Sequence, residues 1–301
     1  MDHKRDMEPH GSFDARYLAF LETIAHLRPR LHRYCSRMTG SVMDGEDVVQ
    51  DALFEAYRKL EKYDDSRPLT PWLFRIAHNR CFDFLRRRGV RVEAETAAMR
   101  PDFVLPVSPA VLGVGRAVEQ LVISLPPKER ACVLLKEVFD YTLEEIAELV
   151  GSTVGGVKAA LNRGRSKLAV LPAPVKTRAE VSPQLSRLLH LYADGFNKRD
   201  WDGLRKLISA DAQLRVADRF AGFIDESPYF GNYERQAVPW RLAVGEVDGE
   251  SVVLVLRQAG SDWRPHSVAR LDVRDRHIAQ IVDYTHCPWV LSAAAVVSQL
   301  S

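Results

Sequence analysis

Two short helices joined by a tight turn are predicted between residues 142 and 168 by the spacing of apolar side chains. The first helix has one apolar stripe at three- and four-residue intervals, and Thr142 with Glu145 forms a capping box at its start. Gly151 supplies the turn, and the second helix projects cations and no acidic residue from its outer face. This order of an acidic helix, a glycine turn and a basic helix is typical of a helix-turn-helix, whose second helix enters the major groove of DNA.

The predicted helix-turn-helix offers eight candidate DNA contacts. A glycine inside a helix costs about 1 kcal/mol relative to alanine, so a pair of glycines in the first turn of the second helix favours a close approach of its backbone to DNA. The alternative interpretation is two packed helices with a solvated cationic face. The candidate contacts are Ser152, Thr153, Gly155, Gly156, Lys158, Asn162, Arg163 and Arg165.

Helical periodicity also covers most of the first 89 residues. One helix is predicted from Phe13 to Thr39, with a kink or boundary at Pro29. A second begins at a cap on Asp44 and runs to about Tyr63, with one apolar face and one acidic face that includes Glu46. An acidic face of this kind is equally consistent with simple solvation.

A third helix begins at Thr70, with proline at its first helical position. Aromatic residues and arginines alternate in and before this helix, as a surface for single-stranded nucleic acid requires. The alternatives are that Trp72 and Phe74 belong to the core, and that the arginines at 86–88 complement the helix dipole.

Composition limits the remaining possibilities. The chain has 301 residues and a formal net charge of only +2, so any nucleic-acid surface must be local. The four cysteines are far apart, which predicts reduced thiols and no zinc site. No apolar run approaches the roughly 20 residues that span a bilayer, and the N-terminal residues lack a signal-peptide core. We therefore expect a cytoplasmic protein without a membrane partner.

Beyond residue 182 the periodicity changes from helical to strand-like. After helices at 185–196 and 201–208, short runs with β character follow, and a last helix is predicted from Pro288 to about Gln299. Helices followed by a meander of strands favour an α+β fold with helices over one face of a curved sheet. The predicted strands are Gln213–Val216, Trp240–Val247, Ser251–Gln258, Ser267–Val273 and Ile278–Tyr284.

Three segments together resemble the extracytoplasmic-function (ECF) sigma factors of the sigma-70 family: DGEDVVQDALFEAYRKL, PLTPWLFRIAHNRCFDFLRRR, and LPPKERACVLLKEVFDYTLEEIAELVGSTVGGVKAALNRGRSKL. The resemblance covers roughly the first 170 residues and implies core RNA polymerase and promoter DNA as partners. It implies that the β′ clamp and the β flap of core polymerase are contacted, the clamp by Asp47, Gln50, Asp51 and Glu55, and that the helix-turn-helix reads the minus-thirty-five element. It implies that the melted minus-ten strand is bound by Lys62, Tyr63, Asp64, Arg67, Trp72, Arg75, Asn79 and Arg80.

One departure from the family concerns the recognition helix. Many relatives carry Ser-Arg after its lysine, whereas this chain has Ala159 and Ala160. The substitution removes a cation, so Lys158 and Arg163 carry the predicted contacts.

The C-terminal third is similar to SnoaL-like (NTF2-like) domains, on GFNKRDWDGLRKLISADAQL and HIAQIVDYTHCPWVL. It lacks the DGGGR-type motif of the best-known sigma factors that carry this extension. Such domains often hold a pocket, and a small ligand or proton abstraction by Asp and His is then an alternative to a structural role. We favour a regulatory domain with no catalytic residue, metal or cofactor. The candidate pocket residues are Tyr192, Phe196, Trp240, Trp263, His266, Asp283 and His286.

The predicted fold class is multidomain, with two all-α sigma modules followed by an α+β cone. The predicted function is an alternative sigma factor regulated in cis by its last domain. The alternatives are an effector-sensing repressor or activator that uses the helix-turn-helix alone, and a catalytic SnoaL-like domain tethered to a DNA-binding module. The predicted boundaries are 13–89 for region 2, 90–113 for a linker, 114–171 for region 4, 172–182 for a second linker and 183–301 for the last domain.

Overall fold

The computed structural model describes residues 10–64, 66–96, 122–170, 182–294 and 297–299. They form two compact units, a helical one up to residue 170 and an α+β one from residue 182, and this confirms the predicted fold class. Among the helices of the described residues, none combines the length and the apolar composition needed to cross a bilayer. The helices of the first unit are α1 (His10–Thr39), α2 (Val42–Lys59), α3 (Leu69–Thr96), α4 (Pro127–Val133), α5 (Leu143–Leu149) and α6 (Val154–Val170), with 3₁₀ turns at Leu60–Lys62 and Val122–Ser124 and a π-helical turn at Leu134–Val138.

Some helix bounds in the structure differ from those predicted from the sequence. Asp44 is not the cap of α2, because its backbone N–H donates to the side chain of Ser41, which is the N-cap (3.3 Å). The helix α1 continues through Pro29, and α3 extends to Thr96, past the predicted end of the first module at residue 89. Most of the predicted linker at 90–113 and nearly all of that at 172–182 lie outside the described residues.

Helices α1–α3 and α4–α6 share one hydrophobic core. Tyr34 of α1 and Phe74 of α3 both lie edge-on to Phe139, with ring centroids 5.9 and 6.0 Å apart. Phe74 also lies 5.7 Å from the ring of Tyr141. The two modules that the sequence predicts to be joined by a linker are therefore packed together in one unit.

A buried arginine of α4 links the two groups of helices. The guanidinium of Arg130 donates from Nη1 to the carbonyl of Met38, at the end of α1. It also donates from Nη2 to the carbonyls of Ile123 (2.5 Å) and Leu125 (3.0 Å). Burial lowers the pKa of Arg130 to about 10, and the group remains charged at neutral pH. Its charge is stabilised by hydrogen bonds to backbone carbonyls.

The second unit is a seven-stranded sheet with helices. Its strands follow the order β2-β1-β6-β5-β4-β3-β7. Only the β1–β6 neighbours are parallel, so the sheet is mixed. The elements are α7 (Pro183–Lys198), α8 (Trp201–Leu207), β1 (Ile208–Val216), β2 (Phe220–Phe223), α9 (Tyr229–Glu234), β3 (Trp240–Val247), β4 (Glu250–Ala259), β5 (Asp262–Arg274), β6 (His277–Asp283), α10 (Trp289–Ala293) and β7 (Val297–Gln299).

One face of this sheet is covered by helices, as predicted. Buried side chains of α7, among them Tyr192 and Phe196, pack against Trp240 and its neighbours on β3. The side chain of Asn197 exchanges two hydrogen bonds with the backbone of Leu242 (2.8 and 2.9 Å), which satisfies a part of β3 that β7 does not reach. The α7 helix is thereby fixed to the strand that carries Trp240.

The predicted last helix is present but shorter than predicted. It ends at Ala293, and Val297–Gln299 instead pairs antiparallel with Gly245–Val247. The sequence prediction also misses β2 and α9. The residues of α9 contribute two buried tyrosines to the core, Tyr229 and Tyr233.

Candidate polymerase and nucleic-acid interfaces

The exposed face of α2 is narrower than predicted and contains an aromatic residue. Asp51 and Phe54 are exposed, and 65% of Phe54 is accessible to solvent. Asp47 and Gln50 are half-buried beside them. The sequence prediction did not include Phe54, although its position three residues after Asp51 places both on the same side of the helix.

Glu46 does not belong to this face. Its side chain is fully buried, and it forms an ion pair with Arg28 of α1. Because Glu46 lies four residues after Val42 and three before Val49, it shares the buried side of α2. The sequence analysis assigned Glu46 to the exposed acidic face, because the residues next to a glutamate do not reveal a buried partner on another helix.

Glu55 is engaged within the unit as well. Its carboxylate accepts hydrogen bonds from Lys59 and from Arg80 of α3 (2.5 Å to Arg80). Burial raises the pKa of Glu55, but the hydrogen bonds from Lys59 and Arg80 outweigh this effect and hold it below its usual value. Glu55, a predicted polymerase contact, and Arg80, a predicted DNA contact, therefore neutralise each other's charge. Asp51 and Phe54 are left at the centre of the exposed face of α2.

The residues that the sequence predicts to bind single-stranded DNA lie around the start of α3. The rings of Tyr63 and Trp72 lie 4.5 Å apart and are half-buried. The Tyr63 hydroxyl donates to the carbonyl of Arg67 (2.5 Å). Phe74 is fully buried, so for this residue the core interpretation is right. The exposed members of the predicted set are Lys62, Asp64, Arg67, Arg75 and Asn79.

This surface borders the helix-turn-helix module. Asn79 lines a groove together with Lys128 of α4 and Val150, the residue that follows α5. The neighbouring His78 is buried, and its Nδ1 lies 2.7 Å from the Tyr34 hydroxyl. Burial lowers the pKa of His78 to about 4, so it is neutral at physiological pH. The part of α3 that is predicted to contact DNA therefore lies beside α4 and α5.

The helix-turn-helix has the predicted local structure. Thr142 and Glu145 form a capping box, in which the Thr142 N–H donates to Glu145 (2.7 Å) and the Glu145 N–H donates to Thr142 (3.2 Å). Gly151 has a φ of +62°, as a left-handed turn requires. A Cβ atom on Gly156 would lie 2.6 Å from the Ser152 hydroxyl oxygen. The close approach at Gly156 is thus made by the turn itself, whereas a Cβ atom on Gly155 would make only an ordinary contact of 3.9 Å with the Thr153 hydroxyl oxygen.

The cations of α6 are less available than the sequence indicated. Arg163 donates to Glu129 (3.0 Å), and Arg165 donates to Glu137 (3.1 Å). Among the cations described on α6, Lys158 alone forms no ion pair with a described carboxylate. No local pattern could reveal these pairs, because Glu129 precedes Arg163 by 34 residues. The predicted contacts Ser152 and Asn162 are half-buried and exposed, respectively, and Thr153 is exposed.

The predicted pocket of the second unit does not form one site. Tyr192, Phe196 and Trp240 are buried in the core under the helices. Asp283 is fully buried and accepts hydrogen bonds from the hydroxyls of Tyr229 (2.8 Å) and Tyr233 (2.5 Å), and from the N–H of Thr285. Burial raises the pKa of Asp283, and these hydrogen bonds partly offset that effect. Both carboxylate oxygens are therefore used internally.

The other predicted pocket residues make no described hydrogen bond to Asp283. Trp263 is on the opposite face of the sheet, because its ring contacts the guanidinium of Arg241 at 4.8 Å and Arg241 alternates with Trp240 along β3. His286 is exposed in the segment after β6, and the structure describes no hydrogen bond between it and Asp283. His266 is half-buried on β5.

Comparison with known proteins defines the class of this fold and site. The family model for Sigma-70 region 2 matches residues 23–91, and that for Sigma-70 region 4 matches residues 115–168. The first match covers α2 and most of α1 and α3, and the second covers the helices that include the helix-turn-helix. The first unit is thus built from two sigma-70 regions.

The curated relatives then identify the family. ECF RNA polymerase sigma factor SigW of Bacillus subtilis is 32% identical over 50% of this chain and 87% of its own length. ECF RNA polymerase sigma factor SigG of Mycobacterium tuberculosis is 28% identical over 88% of this chain and 82% of its own length. The chain belongs to the ECF RNA polymerase sigma factors. The solved structure of Mycobacterium tuberculosis SigJ covers 87% of this chain and 95% of its own at 19% identity, but with a TM-score of 0.37 that likeness carries no further argument.

Proposed function

We propose that this sigma factor docks on the β′ clamp of core RNA polymerase through the exposed face of α2, on which Asp51 and Phe54 are central. The observation that carries the proposal is that this face belongs to the same helical unit as a helix-turn-helix and as the aromatic surface around Tyr63 and Trp72. A repressor that uses the helix-turn-helix alone needs neither of the other two surfaces. The proposed site of action is the cytoplasm.

We further propose that the loop before α3 and the exposed face of α3 hold the melted minus-ten strand. Tyr63 and Trp72, whose rings are tilted by 41° at a centroid distance of 4.5 Å, offer an aromatic surface for an unpaired base, and Arg75 and Asn79 are exposed on α3. In this proposal α6 reads the minus-thirty-five element, while its module contacts the β flap. Arg80 stabilises the helical unit by its ion pair with Glu55, and it contributes less to DNA binding than Arg75 and Asn79.

Run-off transcription tests the proposed function directly. Purified chain with core polymerase should give discrete transcripts from a subset of genomic fragments, and core polymerase alone should not. The free chain should bind duplex DNA weakly compared with the holoenzyme, because promoter recognition requires both modules on core polymerase. Tight and specific duplex binding by the free chain, together with no transcripts from any fragment, would favour a repressor instead.

Lys158 and Arg163 should contribute unequally to promoter binding. Lys158→Ala should weaken binding of the holoenzyme and lower the slope of log affinity against log salt by about 1, as expected for one lost phosphate contact. Arg163→Ala should have a smaller effect on the slope, because its guanidinium is held by Glu129. Filter-binding titrations from about 50 to about 200 mM salt compare the slopes of the two variants with that of the wild type. Equal slopes for wild type and Lys158→Ala would remove Lys158 from the interface.

We propose that the second unit regulates the sigma regions in cis and has no catalytic role. The buried Asp283 cannot accept a substrate proton readily, because both of its oxygens already accept hydrogen bonds from Tyr229, Tyr233 and Thr285. The chain from residue 170 to 182 spans at most about 40 Å when fully extended, so the two units remain at a high effective concentration. Weak contacts that would not persist between separate molecules are then sufficient for regulation.

Cutting the chain between the units should change transcription. A protease site inserted within residues 172–182, once cleaved, should raise run-off transcription about fivefold or more, the size of a coupling of about 1 kcal/mol. Wild-type protein treated with the same protease is the control. Transcription that is unchanged by cleavage at every promoter would exclude regulation in cis.

A further inference from the structure

Two arginines of the second unit lie directly opposite each other on neighbouring strands. Arg257 of β4 is the antiparallel partner of Arg264 of β5, and Trp240 of β3 is the partner of Arg257 on its other side. Directly opposed residues project from the same face of a sheet, and like charges in such a pair are destabilising. The arrangement therefore calls for a compensating negative charge.

A third arginine reaches the same row from the end of α7. The guanidinium carbon of Arg199 lies 3.8 Å from the ring centroid of Trp240. Arg199 is the C-cap of α7 and has a left-handed backbone, with φ of +58°. Its Nη1 donates to the carbonyl of Phe196 (2.8 Å). The side chain is therefore held over Trp240 by both a cation–π contact and a hydrogen bond.

Carboxylates near these arginines in sequence are used elsewhere. Asp200 caps α8 by accepting from the N–H of Gly203 (2.9 Å), and Asp262 accepts from the Ser261 hydroxyl (3.2 Å). Among the described residues, no carboxylate forms an ion pair with Arg199, Arg257 or Arg264. Arg270 of the same unit is by contrast paired with Glu250.

Arg257 is recessed and incompletely satisfied. Its Nε is buried and has no hydrogen-bond partner, and its Nη2 makes only a long contact of 3.4 Å with the side-chain oxygen of Gln236. The nearby His266 is half-buried, and burial together with the charge of Arg257 lowers its pKa. Unused donors and an uncompensated positive charge thus occur at the same place.

We propose that Arg199, Arg257 and Arg264 form a binding site for a small ligand that bears a carboxylate or phosphate group, beside the ring of Trp240. Arginine guanidinium groups recognise both oxyanions through paired N–H donors. A small ligand is favoured over a nucleic-acid backbone because Arg257 is recessed between Trp240 and Arg264, its two cross-strand partners, whereas backbone binding uses exposed cations spread along a surface. The site is independent of the proposed role of the second unit in transcription.

The Trp240 indole N–H gives a local readout of binding to the full-length chain. Protein labelled with ¹⁵N-tryptophan is titrated with inorganic phosphate and, separately, with succinate, at an ionic strength held constant with chloride. We expect a saturable shift of the Trp240 resonance with at least one of the two anions, and no shift of Trp72 in the helical unit. The two titrations distinguish a phosphate site from a carboxylate site.

Variants on the two faces of the sheet test the assignment. Arg257→Gln and the exposed Arg264→Gln should each raise the apparent Kd about tenfold or more, the effect of losing a charged hydrogen bond. In the unliganded state Arg264→Gln should leave the melting temperature unchanged or raise it, because a like-charge pair is removed. Arg241→Gln changes the net charge equally but lies on the opposite face against Trp263, so it should retain the wild-type Kd.

Several outcomes would overturn the proposal. They are the absence of a saturable shift with both anions, an equal shift with chloride alone, and an unchanged Kd in both Arg257→Gln and Arg264→Gln. Saturation of the Trp240 shift by a single-stranded oligonucleotide, but by neither small anion, would assign the arginines to nucleic acid instead.

Discussion

Asp51→Arg combined with Phe54→Ala should abolish co-purification of this sigma factor with core RNA polymerase. Asp51 supplies an exposed negative charge, and Phe54 supplies the large apolar side chain that dominates binding at the centre of protein interfaces. Reversing the charge and removing the ring together should weaken binding by about 100-fold or more. Binding is measured by pull-down and by titration of labelled core polymerase. The pair is preferable to Asp47, which is half-buried and already has an interaction partner.

A matched charge reversal elsewhere separates docking from folding. Glu22 is exposed on α1 and is not part of the α2 face, so Glu22→Arg should bind core polymerase as the wild type does. All variants should keep the far-UV circular dichroism of the wild type, since none of the three side chains is buried. Wild-type affinity in the double variant would move the docking surface away from α2.

Periodicity predicted the helices of the first unit better than the partners of their polar residues. The stripe along α5 and its capping box follow from local spacing, and the structure has both. Glu46 shows where this reasoning ends, because it lies on the buried side of α2 and its partner Arg28 is on another helix. The pairing of Glu129 with Arg163 is equally inaccessible to a local pattern. Such ion pairs depend on tertiary packing, which the spacing of apolar residues does not encode.

The second unit shows the same limit for strands. The bounds of β3 agree with the prediction at both ends, because the run of β-branched and apolar residues there is bounded by turn residues. The segment Val297–Gln299 was predicted to be helical, but it forms a strand that pairs with the edge of β3. The two tyrosines that satisfy Asp283 come from α9, a short helix that periodicity did not detect. Both errors concern contacts between residues that are distant in sequence.

The helical unit should open when the sigma factor engages a promoter. In the structure the helix-turn-helix module packs against α1 and α3 through Phe139 and Arg130. A compact unit of about 150 residues has a diameter of about 40 Å. The minus-ten and minus-thirty-five elements are about 25 base pairs apart, or about 85 Å along B-form DNA at about 3.4 Å per base pair. One rigid unit of this size cannot contact both elements, so the Phe139 and Arg130 contacts must separate on the promoter.

Energy transfer between two dyes measures this opening. The four native cysteines are buried, so dyes can be attached selectively at Ser66→Cys, before α3, and Ser166→Cys on α6, since both positions are exposed. Transfer should be high in the free chain and should fall strongly in the complex with core polymerase and promoter DNA. A second pair within the first module, Glu22→Cys with Ser66→Cys, should give the same transfer in both states. If the Ser66–Ser166 transfer stays high in complexes that produce run-off transcripts, the modules do not separate and the proposed positions of the two DNA-binding surfaces are wrong.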